Sequence, residues 1–231
     1  ETVGEDDWPH PNTDFQRLYL DAASLTLNRD PVEAESSIRY DAMGDGVEFW
    51  TPRFTEEVEW SGPFAAKLFI SSSTEDADLF LTVRLFDEND EEIVFKGTVD
   101  PHTPIAQGWL RASHRKLVPE LSTFWRPYHE HKEREPLTPG EIYELDIEIW
   151  PTGINIPAGY RVQLQVRGRD YEYPPSLEDT TTKIGWFPLK GCGPFLHDDP
   201  RDRPPEVFDN QVTIHTGGRY GSYLLVPVIP S

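Results

Sequence analysis

Cysteine, methionine and basic charge are all scarce in this sequence. The lone cysteine, Cys192, excludes an intramolecular disulfide and any zinc site built on several thiolates. Its surroundings, Gly191-Cys192-Gly193-Pro194, read as loop rather than as a poised nucleophile. Lys and Arg number 21 against 41 Asp and Glu, a formal net charge of −20. Phosphate contacts need a basic face, so nucleic acid is not an expected partner. An anionic membrane surface is disfavoured on the same ground. No apolar run approaches the roughly 20 residues of a membrane-spanning helix. No signal peptide is visible at Glu1-Thr2-Val3-Gly4-Glu5, and a cytoplasmic location is favoured. The only methionine is Met43, which suggests a processed chain or an excised fragment. The acidity fits a high-salt habitat and simple solubility equally.

Catalytic signatures are missing too. There is no Gly-x-Ser-x-Gly elbow, no Walker A sequence and no strand–Gly-x-Gly-x-x-Gly–helix unit. Ser222 lies inside an apolar strand and reads as structural, and Ser71-Ser72-Ser73 reads as a strand end. His129-Glu130-His131 is the one suggestive metal spacing, with His114 or Glu133 as a third ligand. Residues two apart in an extended segment point the same way. The run from Glu130 to Glu135 is nevertheless dense in charge and reads as solvated. His197, Asp198, Asp199 and Asp202 form a patch suited to weak calcium binding, but Pro200, Pro204 and Pro205 favour a rigid solvated loop. Sequence spacing cannot reveal a glycosidase carboxylate pair. No metal and no cofactor is therefore expected.

Proline is abundant, with 22 of 231 residues, nearly twice the usual ~5 %. Proline breaks helices and central strands, so the chain is cut into short elements. No 12-residue window carries apolar residues at helical spacing, whereas several alternate strictly. From Glu141 to Trp150, Leu145, Ile147 and Ile149 alternate with acids. Tyr160, Val162, Leu164 and Val166 alternate with Arg161, Gln163, Gln165 and Arg167. Pro151-Thr152-Gly153 and Pro157-Ala158-Gly159 between them read as turns. Asp78 to Phe86, then a turn, then Glu92 to Lys96 read as a hairpin. Further strands are expected at Val47 to Phe54, Pro63 to Ser71, Gly108 to His114, Val212 to His215 and Ser222 to Ile229. Asp21 to Leu27 suits a short helix or a strand. Eight or more half-buried strands predict an all-β fold, an antiparallel β-sandwich or jelly roll. Two long irregular stretches remain, Lys116 to Pro139 and Gly168 to Glu206. Both carry aromatics, Phe124, Trp125 and Tyr128 in one and Tyr171, Tyr173, Trp186 and Phe187 in the other, so both are expected to pack on something.

Pro139-Gly140-Glu141 and Ile156-Pro157-Ala158-Gly159-Tyr160-Arg161 carry a family likeness. So do Trp60-Ser61-Gly62-Pro63, Ala77-Asp78-Leu79, the run Gly108 to Arg115 and the closing Leu224 to Pro230. In this order the segments resemble the C-terminal domain of X-Pro dipeptidyl-peptidases, cocaine esterase and α-amino-acid ester hydrolases. The likeness runs from about Trp50 to the end; residues 1–49 match less clearly, although Arg17-Leu18-Tyr19-Leu20 resembles an opening strand. It implies one galactose-binding-like jelly roll over residues 1–231. It also implies an α/β-hydrolase domain of the same polypeptide as partner, with the Ser-Asp-His triad there, so no catalytic residue is assigned here. Oligomeric state stays open, a homo-oligomer included. A domain of this kind packs on its hydrolase and can wall the substrate entrance. Trp109, Arg111, His114, Trp125, Arg126 and Tyr128 are the candidates for that face, because Trp, Tyr and Arg dominate anchoring contacts; Trp109 suits a core position equally. The alternatives are a free-standing carbohydrate-binding module and an independent hydrolase using carboxylates or a His129/His131 metal.

Overall fold

The computed structural model describes residues 7–96, 102–172, 183–184, 187–188 and 196–230. The fold is all-β. β1 (Asp14–Asp21) and β2 (Thr26–Asn28) form a hairpin, followed by β3 (Ser36–Asp41), β4 (Val47–Trp50) and the long β5 (Val58–Ser72). β6 (Asp78–Phe86) turns back into β7 (Glu92–Ile93), and β8 (Ala106–Arg111), β9 (Tyr143–Ile156) and β10 (Arg161–Arg167) follow. A two-residue ribbon, β11 (Lys183–Ile184) and β12 (Phe187–Pro188), and a single helical turn, α1 (Pro205–Phe208), precede β13 (Gln211–Thr216) and β14 (Tyr223–Ile229).

Backbone hydrogen bonds link nine strands in one closed ring: β5, β14, β1, β2, β4, β10, β6, β8, β9 and back to β5. The joins are antiparallel except β2–β4, a single parallel pair at Thr26 and Trp50. β5 can serve both β9 and β14 because it is 15 residues long and irregular in the middle. Gly62 sits there at φ +143°, a conformation L side chains rarely adopt, and a Cβ on it would crowd Pro227 at 3.0 Å. Beyond that point β13 pairs with the far end of β5, and β3 adds to β13.

Period two sets the core. Trp60, Phe64, Leu68 and Ile70 of β5 meet Leu145, Ile147 and Ile149 of β9, and Phe49, Leu79, Leu81, Val83 and Leu164 complete the interior. Each such aliphatic or Phe side chain, fully buried, contributes about 1.5–3 kcal/mol of transfer free energy. β6 and β10 are not half-buried as their alternation predicts: Gln163, Gln165 and Arg167 are buried as well. A polar layer covers their outer face. Arg84 grips Glu92 through two hydrogen bonds of 2.8 and 2.7 Å and donates to Gln163 at 3.0 Å, while Gln165 donates to Glu48.

Several segments differ from the sequence reading; β4 stops at Trp50 rather than Phe54 and β7 at Ile93 rather than Lys96. Pro151-Thr152-Gly153 is no turn, since β9 runs through it. Trp150 and Pro151 form a bulge there: Ile149 pairs with Phe64 and Thr152 with Gly62, leaving Pro63 opposite two residues. A proline is tolerated at such a point because the ladder is already interrupted. Gly108 to His114 is strand only to Arg111; Ala112–His114 is a 3-10 turn. The buried Asp76 carboxylate imposes that turn by accepting from the Ser113 N–H at 2.9 Å and its hydroxyl at 2.6 Å. Residues 22–25 are the turn of the β1–β2 hairpin, with Leu25 at φ +58°. β3 was not foreseen, because Ser-Ser-Ile-Arg-Tyr-Asp offers only Ile38 and Tyr40 as apolar residues. Cys192, Tyr173 and Trp186 lie outside the described residues.

Candidate functional site: a tryptophan-rimmed cleft and a packed arm

β6 and β8 run side by side, with Asp78 opposite Arg111 and Phe80 opposite Trp109. Paired residues share a face, so these four project together. With His114, His131, His197 and Arg203 they line a cleft of 320 Å³. Arg111 is its electrostatic centre. Its guanidinium donates twice to Asp78, at 2.8 and 3.0 Å, and twice to Asp202, at 3.0 Å each. Hydrogen bonding to Asp78 and then to Asp202 drives the Arg111 pKa far up, and the same contact holds Asp202 below the usual carboxylate range. Behind it the buried Arg203 pairs with Asp78 at 2.9 Å and donates to the carbonyls of Gly168 and His197. Phe208 of α1 lies under Arg111, 4.5 Å from ring centre to guanidinium. One buried carboxylate thus holds two cations, and the cleft floor is nearly charge-balanced.

Trp109 is 43 % exposed and Trp150 61 % exposed, and their rings meet at 5.1 Å. The β9 bulge puts Trp150 there, and Gly108 lets β8 approach. A Cβ on Gly108 would fall 2.2 Å from the Glu148 carbonyl oxygen. His197 stands 6.1 Å from Trp109 and is bonded through Nδ1 to Asp170 at 2.8 Å.

Residues 115–131 form an arm that folds back on itself. The Val118 N–H donates to Tyr128 and the Glu130 N–H to Lys116, so Leu117 faces His129. At its tip Phe124 meets Phe15 of β1 edge-on at 5.2 Å, and Trp125 stacks on the same ring at 6.5 Å. Trp109, Arg111 and His114 of the six expected face residues therefore gather at the cleft. Trp125 sits on Phe15 at the arm tip, while Arg126 and Tyr128 are exposed along the arm. Trp150 and Arg203 were missed, and Asp78 and His197 were read in other roles, as part of a family-like segment and of a weak calcium patch. Trp150 was legible, because period two puts it on the outer face with Glu148.

His114, His129 and His131 cluster at the arm's base. His114 Nδ1 lies 3.2 Å from His131 Nδ1, and the His129 and His131 rings are 5.6 Å apart. Among the described residues no three His, Cys, Asp or Glu side chains are placed to hold a metal ion. Burial, then repulsion from His131, lowers the pKa values of His114 and His129. For His114, Arg111 and Arg134 add to this and Asp76 opposes it; for His129, Asp146 opposes it. A lowered imidazole pKa means the unfolded chain binds more protons, so stability rises with pH through the window below about 6.5 and is lost on acidification. Hydrogen-exchange protection of the Val118 and Glu130 amides, corrected for intrinsic rates, is expected to fall between pH 7 and pH 5. Unchanged protection would refute the coupling.

Serine chemistry finds no support at Ser222. Its hydroxyl donates to the His215 carbonyl at 2.8 Å and accepts from the Phe69 N–H, a structural role. Ser71 Oγ does touch His215 Nε2 at 2.9 Å, but among the described residues no carboxylate orients that imidazole, as a triad requires.

Comparison with solved structures gives a TM-score of 0.84 against a CocE/NonD family hydrolase from Staphylococcus aureus, at 27 % identity, over 99 % of this chain and 39 % of that one. An α-amino acid ester hydrolase shares the fold at a TM-score of 0.53 and 16 % identity, over 92 % of this chain and 36 % of that one. A Mycobacterium bovis protein whose name describes it as a serine esterase is 29 % identical over 120 residues, 49 % of this chain and 17 % of its own length. The chain therefore spans well under half of these relatives. No helix among the described residues is long and apolar enough to cross a membrane. The sequence profile of the X-Pro dipeptidyl-peptidase C-terminal non-catalytic domain matches residues 1–225, and the chain belongs to that family.

Proposed function

We propose that this chain is the accessory C-terminal domain of a serine hydrolase of the X-Pro dipeptidyl-peptidase or acyl-ester hydrolase type. It packs on an α/β-hydrolase catalytic domain of the same polypeptide through the Trp109–Trp150 rim and borders the substrate entrance. Its ring of strands is then a jelly roll of the galactose-binding type. The exposed tryptophan pair beside the Arg111 cleft carries this reading, since two adjoining indoles left in water are unusual on a finished surface and characteristic of anchoring contacts. A carbohydrate platform would call for coplanar rings, and these two are tilted by 54°.

The test compares the 231-residue chain with the full-length polypeptide on X-Pro and short-chain acyl chromogenic substrates, together with a serine-directed phosphonate. Turnover and labelling are expected in the longer protein alone; labelling of the short chain would overturn the reading. In the full-length protein, replacing Trp109 and Trp150 together by alanine is expected to cut activity about tenfold or more, the scale of an anchoring contact. The same change in the short chain should cost about 1–3 kcal/mol and leave it folded, since both indoles are only partly covered.

A further inference from the structure

A second groove, of 590 Å³, shares no lining residue with the Trp109 cleft. It lies on the outer face of the β1–β14 pair, where Arg17 faces Leu225 and Tyr19 faces Tyr223. Phe15 continues this face, Arg29 and Pro31 form one wall, and Phe124 from the arm tip forms another.

Two features set the groove apart. In a chain with 41 acidic residues, no carboxylate among the described residues lines it. Among the described residues its two arginines also make no ion pair, whereas Arg53, Arg84, Arg111, Arg161 and Arg203 each hold a carboxylate. Arg17 is instead held over the Tyr223 ring at 4.8 Å, which fixes its position while leaving it free of an acid. The nearby Glu144 and Asp146 are both engaged by Lys67. Phe124 is 67 % exposed, yet it is held against Phe15 rather than waving free.

We propose that this groove binds a small carboxylate that carries a flat, preferably aromatic, group. Guanidinium groups pair with carboxylates in a planar, charge-assisted geometry. Tyr19, Tyr223 and Phe124 supply the ring faces and edges that an aromatic body packs against. The net charge of −20 repels anions at long range, so capture rests on these two local cations. The inference is independent of the accessory-domain reading, because it concerns other residues and is measured on the 231-residue chain.

Saturation-transfer NMR titrations with benzoate, benzamide and acetate test it. Benzoate is expected to bind with a dissociation constant of about 1 mM or below. Benzamide lacks the charge and acetate the ring, and each is expected to bind about tenfold or more weakly. Arg17→Gln and Arg29→Gln should each weaken benzoate about tenfold, with the thermal midpoint as a check on folding. Arg219→Gln, away from the groove, should not. Benzamide binding as well as benzoate, or wild-type benzoate affinity in both groove variants, would overturn the proposal. Acetate matching benzoate would remove its aromatic half, and no benzoate binding at all would end it.

Discussion

Replacing Asp78 by alanine lowers the stability of this chain by about 3–5 kcal/mol, measured by urea denaturation. The expectation follows from what Asp78 holds. Arg203 is 5 % exposed at its side chain, and Arg111 is bound on the same carboxylate. Removing the anion strands one buried guanidinium and half-releases a second, and an uncompensated buried charge is among the most costly single defects. Arg111 retains Asp202, so the main loss is at Arg203. The exposed pair Arg201–Asp199 is the control, where Asp199→Ala should leave the urea midpoint nearly unchanged because solvent screens the pair. Combining Asp78→Leu with Arg203→Met should recover much of the loss, because an apolar pair of similar volume removes the stranded charge. An Asp78→Ala variant as stable as the parent would mean that Arg203 finds another partner.

Gly108→Ala is expected to cost about 1–3 kcal/mol, or more if the strands cannot part. The added methyl would meet the Glu148 carbonyl oxygen at 2.2 Å and Ile149 Cα at 2.8 Å, and both are backbone atoms that no rotamer change can clear. Gly108–Ile149 is the register pair between β8 and β9, so the strain falls where the ring closes. The Trp109–Trp150 pair stands beside that contact, and its near-UV circular dichroism should change along with the stability. Unchanged stability would show that β8 shifts freely. A Gly140→Ala change meets open space, but φ +85° there makes it a test of backbone strain alone.

Most strands could be read from alternation because a strand with one dry face writes its period into the sequence. β9 is the clearest case, and its reading broke where the physics changes. The proline after Trp150 looked like a stop, although at a bulge the ladder needs no N–H from that residue. β6 and β10 misled differently. Their outer faces carry Arg84, Gln163 and Gln165, which look solvated in sequence, and only the three-dimensional network with Glu92 and Glu48 explains their burial. At the cleft, Trp109, Arg111 and His114 were legible as residue types near one another in the chain. Asp78 and the segment that carries His197 and Arg203 lie far in sequence from that stretch and from each other, so only the fold unites them. The arm could be inferred from its aromatics, but its landing place on Phe15 could not.

The closed ring also has a bearing on association. A β-sheet edge offers unpaired N–H and C=O groups to any passing strand, and long flat edges invite stacking between molecules. Among the described residues the nine ring strands have no free edge along their joined lengths, and the sheet ends instead at β3 and the two-residue β7. β3 is short, polar and carries Arg39 and Asp41, so it makes a poor template. With a net charge of −20 around it, the molecule resists edge-to-edge assembly, which leaves side-chain surfaces, rather than strand addition, as its means of meeting other proteins.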